Sequence, residues 1–257
     1  LRGGGRAPSP TPHPPLPRPP AAREHHRAMI EILTLPVGPL QANAHLAWNP
    51  ATREAVLVDP GGDAPELLAA IEERALRLVA IWNTHAHVDH IAANADVQAA
   101  TGAPIHVHEA EELWLRDPML NLSAWVGVEV PPTTAAVQWR DNDALDALGA
   151  RWTIAHTPGH SPGGVCIVCE EQRVGFGGDL LMEGSMGRVD LPGSDPAAMA
   201  ASLRRALSWD DRLVLHSGHG PAITIGRERA RNGVVREFLS DFPAPQESPA
   251  PEGRPHA

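Results

Sequence analysis

Thr84-His85-Ala86-His87-Val88-Asp89-His90 packs three imidazoles and a carboxylate into the six residues from 85 to 90. The apolar run Leu78 to Trp82 just before it reads as a short buried strand, and Ile91 to Val97 just after it reads as a helix. Ligand-type side chains therefore fall where a strand ends and a helix begins. In extended backbone, residues i and i+2 point to the same side, so His85 and His87 can grip one cation. Asp89 and His90 lie on the turn and can face a second. Asp89 has a competing structural reading, as the N-cap of the following helix. A lone histidine is usually structural, but His-x-His-x-Asp-His is a rare pattern, and it predicts metal binding.

This stretch resembles the signature of the metallo-β-lactamase fold superfamily, and three more segments follow in that superfamily's order. Thr157-Pro158-Gly159-His160-Ser161-Pro162-Gly163 resembles its third-histidine loop, Gly177-Gly178-Asp179 its bridging-aspartate segment, and Ser217-Gly218-His219-Gly220-Pro221 its last-histidine loop. The resemblance spans about Ile30 to Phe238. It implies an α/β (α+β) fold of the four-layer αββα sandwich type. It implies two divalent cations, zinc first and iron or manganese as alternatives. His85, His87 and His160 would hold one, Asp89, His90 and His219 the other, and Asp179 would bridge them. Asp89 and Asp179, with a metal-bridging hydroxide, are then the catalytic candidates. A shared anion fits the physics, because two cations about 3.5–4 Å apart repel.

Within the superfamily, the lactamase pattern carries Cys at the bridging position, so Asp179 points away from antibiotic hydrolysis. Met182 to Gly193, containing Gly187-Arg188-Val189-Asp190-Leu191-Pro192, looks like a segment of glyoxalase II-type hydrolases, and Thr224-Ile225-Gly226 with Glu228 resembles their post-histidine turn. The resemblance is to the short bacterial members. It implies hydrolysis of a 2-hydroxyacyl thioester such as S-lactoylglutathione, with no covalent protein intermediate. The long members hold glutathione with basic residues, including Lys, on a C-terminal helical domain. Here the stretch after His219 is short and has no Lys. Arg188 has two readings, contact with a substrate carboxylate or an internal pair with Asp190 or another acid. The alternative activity on this fold is a persulfide dioxygenase with a single iron and O2.

Composition narrows the chemistry further. All 21 basic residues are Arg, and there is no Tyr, which excludes Lys-based covalent or base chemistry and a Tyr acid. The net charge is -10 even though residues 1–28 hold five Arg and one Glu. An acidic body argues against tracking nucleic-acid phosphates. The partner expected is a small thioester, with no nucleic acid and no membrane. Cys166 and Cys169 give no disulfide framework, and on the strand read at 165–169 they point to opposite faces. No apolar run has the length of a membrane span and the N-terminus lacks a secretory signal's apolar stretch, so the cytoplasm is expected.

Residues 1–28, with eight Pro, read as a disordered tail, and Met29 is a candidate native start. A hydrolase domain is expected over 29–240 and a Pro-rich tail over 241–257. Strands are expected near 30–35, 43–48, 55–58, 104–107, 150–156, 165–169, 173–178 and 212–216. Helices are expected at 65–76, 109–115, 196–207 and 226–239. The loop at 117–136 is either a pocket wall or a cover for a core edge. His106 and His108 repeat the i,i+2 spacing, but no acidic turn follows, so surface or edge positions are expected. His156 is expected to support the third-histidine loop, and His216 to sit beside the site or in the core. Asp59 is either a buried hydrogen-bonding group under the metal loop or a turn cap.

Overall fold

The computed structural model describes residues 29–243. The tail expected over 1–28 lies outside them, as does most of the one expected over 241–257. Strands β1 (Glu31–Val37), β2 (Ala42–Trp48) and β3 (Glu54–Val58) lead through helix α1 (Ala64–Glu73) to β4 (Arg77–Trp82). Helices α2 (Val88–Ile91) and α3 (Asn94–Thr101), strand β5 (Ile105–His108), helix α4 (Ser123–Val126) and β6 (Val137–Trp139) complete the first half. The second half runs β7 (Ala144–Ala147), β8 (Ala150–His156), β9 (Val165–Cys169), β10 (Val174–Gly178), then the small hairpin β11 (Leu181–Met182) and β12 (Ser185–Met186). It ends with α5 (Pro196–Leu207), β13 (Val214–Ser217), β14 (Ile223–Thr224), α6 (Ile225–Arg231) and α7 (Gly233–Asp241).

The strands make two six-stranded sheets, β1-β2-β3-β4-β5-β6 and β14-β13-β10-β9-β8-β7. Alternation along the strands shows how they stack. On β3, Ala55 and Leu57 face one apolar cluster with α1 residues Leu67 and Ile71, while Val56 and Val58 face another. On β9, Val165, Ile167 and Cys169 share that second cluster, and Cys166 and Val168 face a third with α5 residues Met199 and Leu203. The middle cluster is therefore the sheet-to-sheet core, and each outer cluster lies beneath helices, giving the four layers αββα. Cys166 and Cys169 do lie on opposite faces, both buried. The inter-sheet core centres on Trp82, whose ring lies 5.3 Å from Trp152 and 6.2 Å from Trp139.

Sheet topology places the site. β8, β9 and β10 pair antiparallel and β10 pairs parallel with β13, so β8, β10 and β13 run the same way and end at one edge. The end of β4 meets that edge, with Val165 N–H donating to Thr84 O (2.9 Å). The segments carrying His85–His90, His160, Asp179 and His219 all leave these four strand ends.

Four local expectations are corrected. The helix expected at 109–115 is two short 3-10 turns, Glu109–Glu111 and Leu113–Leu115. Asp89 is not an N-cap: α2 begins at Val88, the capping position is His87, and Asp89 sits inside the first turn. The helix expected at 226–239 is split at Asn232, whose side chain accepts from Val235 N–H (3.0 Å) and starts a new helix before Gly233. His106 and His108 are neither on the surface nor at the sheet edge. Strand β6 covers the edge of β5, and buried His108 stacks on His156 with centroids 4.0 Å apart.

Trp82→Ala should lose about 3–5 kcal/mol of stability in urea unfolding, as for large aromatic deletions in a core. A loss below about 1 kcal/mol would mean that the sheets do not pack through Trp82.

Candidate metal centre

Two groups of ligand-type side chains meet at the common strand edge. His85, His87 and His160 each offer an atom within 4.8 Å of the others, and so do Asp89, His90 and His219. Asp179 lies between the groups. Its carboxylate oxygens are 3.5 Å from His160 Nε2, 3.6 Å from His90 Nε2 and 3.7 Å from His219 Nε2. His219 Nε2 is also 3.3 Å from Asp89 Oδ2. Gly218 makes the approach possible, because a Cβ there would fall 2.2 Å from Asp179 Oδ1. All seven sequence candidates are thus brought together.

The rings are oriented from behind. Asp59, buried at the end of β3, accepts from Thr84 N–H (2.7 Å) and Thr84 Oγ1 (2.6 Å), and its Oδ2 faces His90 Nδ1 (3.1 Å). The buried hydrogen-bonding reading of Asp59 therefore holds. Its hydroxyl proton given to Asp59, Thr84 Oγ1 can accept from His85 Nδ1 (3.2 Å). The Arg188 carbonyl faces His160 Nδ1 (2.9 Å), so this part of the 182–193 segment acts through its backbone. With Nδ1 of His85, His90 and His160 engaged, Nε2 of each ring carries a lone pair in its neutral form. His85 Nε2, His87 Nε2, His90 Nε2 and Asp179 Oδ1 are buried without a hydrogen-bond partner among the described residues. Neutral imidazoles and carboxylates with orphaned atoms fit divalent cations.

The model of the metallo-β-lactamase superfamily matches residues 37–219. The chain belongs to that superfamily. It is 31% identical over 206 residues to a protein of Haemophilus influenzae named hydroxyacylglutathione hydrolase GloC, covering 79% of this chain and 97% of that one. Among solved structures it is similar to BLEG-1, titled a B3 metallo-β-lactamase (TM-score 0.76, 37% identity, 82% of this chain and 100% of that one). It is also similar to TTHA1623, titled as a di-iron-bound form (TM-score 0.70, 37% identity, 78% and 98%).

Electrostatics separates the members of this superfamily site. Burial, reinforced by neighbouring imidazoles, pushes His85 well below its ordinary range and His87 down to about 3, keeping both rings neutral. Burial opposes charge on His90 too, but Asp89, Asp179 and Asp59 outweigh it and raise His90 to about 10. Burial also pushes Asp89 upward, yet the His90 charge and the His219 hydrogen bond hold its carboxyl well below the usual carboxylate range. A positive charge on His90 thus answers the carboxylates in the protein alone.

A cavity of about 350 Å³ opens onto the cluster, with Leu122 and Val126 on its wall. The 117–136 loop is thus a pocket wall, and through Val130 and Ala135 it also covers the first core cluster. Arg188 also lines the cavity, but its guanidinium is held by both oxygens of Asp190 (2.7 and 2.8 Å). His156 braces the third-histidine loop through the Pro162 carbonyl (2.9 Å), and His216 packs on His45 and Phe176.

Sequence reasoning missed Glu111. It is fully buried, and its carboxylate accepts from Ala86 N–H, between His85 and His87, and from Gly163 N–H (2.7 Å), in the His160 loop. Burial raises its pKa against these hydrogen bonds. Nothing local marks it in the run Glu109-Ala110-Glu111-Glu112, because its partners are 25 and 52 residues away.

Glu111→Ala would leave two buried amides unpaired, each costing about 1–3 kcal/mol. We expect a lower Tm and metal affinity weaker by about 10–100-fold in chelator competition, with Glu111→Gln intermediate because one acceptor remains. Unchanged affinity in the alanine variant would show that the clip does not hold the ligand loops.

Proposed function

We propose that this chain is a metal-dependent hydrolase that cleaves a 2-hydroxyacyl thioester of the S-lactoylglutathione kind. The observation that carries the reading is Asp179, a carboxylate within 3.7 Å of histidines from both groups. One cation would use His85, His87 and His160, the other Asp89, His90 and His219, with Asp179 shared. Zinc is the first choice, and iron or manganese suit the same ligands. Bound divalent cations supply Lewis acidity and an activated water at neutral pH. The chain's residues do the rest. Asp59, Thr84 and the Arg188 carbonyl orient the rings, Asp179 and Asp89 bring negative charge that offsets cation repulsion, and Leu122 and Val126 limit water on one wall. Neither cysteine lines the metal cavity: Cys166, its thiol pushed up to about 12 by burial, lies in the core beneath α5, and Cys169 lies in the inter-sheet core.

The Haemophilus relative's name supports the thioester branch. The dioxygenase reading needs one iron, which would leave the Asp89, His90 and His219 group without a cation. The proposal also takes a small molecule as partner, with neither nucleic acid nor membrane. It places the protein in the cytoplasm; no helix among the described residues is long and apolar enough to cross a membrane.

The test is one set of assays on zinc- and iron-loaded protein. Thiol release from S-lactoylglutathione is followed without oxygen, O2 uptake with glutathione persulfide, and ring opening with a cephalosporin, because BLEG-1 is titled a lactamase. Anaerobic thioester turnover by the zinc form is expected. Iron-dependent O2 uptake or cephalosporin opening, with negligible thiol release, would overturn the assignment.

A further inference from the structure

A second cavity of about 350 Å³ adjoins the metal cavity on the Asp89 side. The two share Leu40, Val88, Asp89 and Val126 as lining, so they lie side by side as a groove with a polar end and an apolar end. The apolar end is walled by Leu40, Ala92, Val126 and Val128. Its floor is fixed backbone: a Cβ on Gly61 would fall 1.5 Å from the Asp89 carbonyl oxygen, so only glycine allows the strand-end turn to lie against α2. The groove is therefore built together with the turn that carries Asp89.

Charge decides what this arm can take. Its charged lining groups are Asp63 and Asp89, both acidic, and the Asp63 carboxylate already accepts from Gly38 N–H (2.8 Å). No cation lines it. In the metal cavity the one guanidinium, Arg188, is held by both oxygens of Asp190. The two carboxylates of a glutathione carrier find no free cation among these residues, and desolvating them against apolar side chains is unfavourable. An apolar substituent is matched to the arm, with gain in proportion to the area buried.

We propose that the arm beyond Asp89 binds an uncharged, apolar thiol carrier, so that the preferred substrate is a 2-hydroxyacyl thioester of an apolar thiol. This rests on the thioester reading above. The side of the substrate follows from size. A lactoyl group is small and carries a hydroxyl, which suits the polar end, so the extended apolar end takes the leaving thiol.

The experiment compares three lactoyl thioesters: of 2-phenylethanethiol, of the same thiol with a para-carboxylate, and of glutathione. The phenylethyl ester should exceed the other two in kcat/KM by about 10-fold or more, mainly through KM, the discrimination expected of a hydrophobic pocket. Val128→Asp alters only the apolar arm and should bring the three rates towards one another while metal content and Tm stay as in the parent protein. Preference for the charged esters, or a preference that Val128→Asp does not change, would overturn the proposal. The neutral fluorophore N-phenyl-1-naphthylamine separates the two readings. If no thioester is turned over but the metal-loaded protein binds the probe and Val128→Asp abolishes binding, the apolar arm stands and the thioester chemistry falls. Absence of Val128-dependent binding together with absence of turnover removes both.

Discussion

Four of the seven buried side-chain polar atoms without partners among the described residues, three imidazole nitrogens and one carboxylate oxygen, meet where the two sheets share an edge. Each such atom costs on the order of 1–3 kcal/mol when left unpaired. Folded proteins keep few of them. Here four share one place, where carboxylates raise His90 to about 10 while burial drives His87 down to about 3 and His85 well below its ordinary range. The sandwich accepts this local penalty because its three apolar clusters hold the strand ends rigid around it. Divalent cations convert the same atoms from unsatisfied groups into ligands.

The ligand loops are held by contacts that are distant in sequence. Asp59 reaches 25 residues to Thr84 and 31 to His90, Glu111 reaches 52 to Gly163, and the Arg188 carbonyl is 28 residues from His160. Asp59 does this from a left-handed backbone conformation, φ 51, which an aspartate tolerates better than most residues. The seven candidate ligands thus form a geometry only after both sheets have paired and stacked. Metal affinity and fold stability are coupled through these few groups.

Much of this was legible in the sequence where the signal is local. The strand Val165–Cys169 and the helix Pro196–Leu207 matched their expected bounds, because an apolar run and an Asp-Pro start are short-range signals. The candidate ligands stood out through spacing and resemblance. What failed depends on distant partners. His106 and His108 are expected at the surface or an edge because no acidic turn follows them, yet β6, which returns from beyond a long loop, covers β5. Glu111 looks like any acidic residue in a polar run until two loops close over it. The split at Asn232 does have a local signal, Asn232-Gly233, a strong breaker that competes with helical periodicity.

The most direct test is a crystal structure of the zinc-loaded protein with anomalous scattering collected at the zinc edge. Two peaks are predicted about 3.5–4 Å apart. One should lie among His85, His87 and His160, the other among Asp89, His90 and His219, with an Asp179 oxygen in contact with each. A single peak, or two peaks of which Asp179 touches neither, would contradict the account.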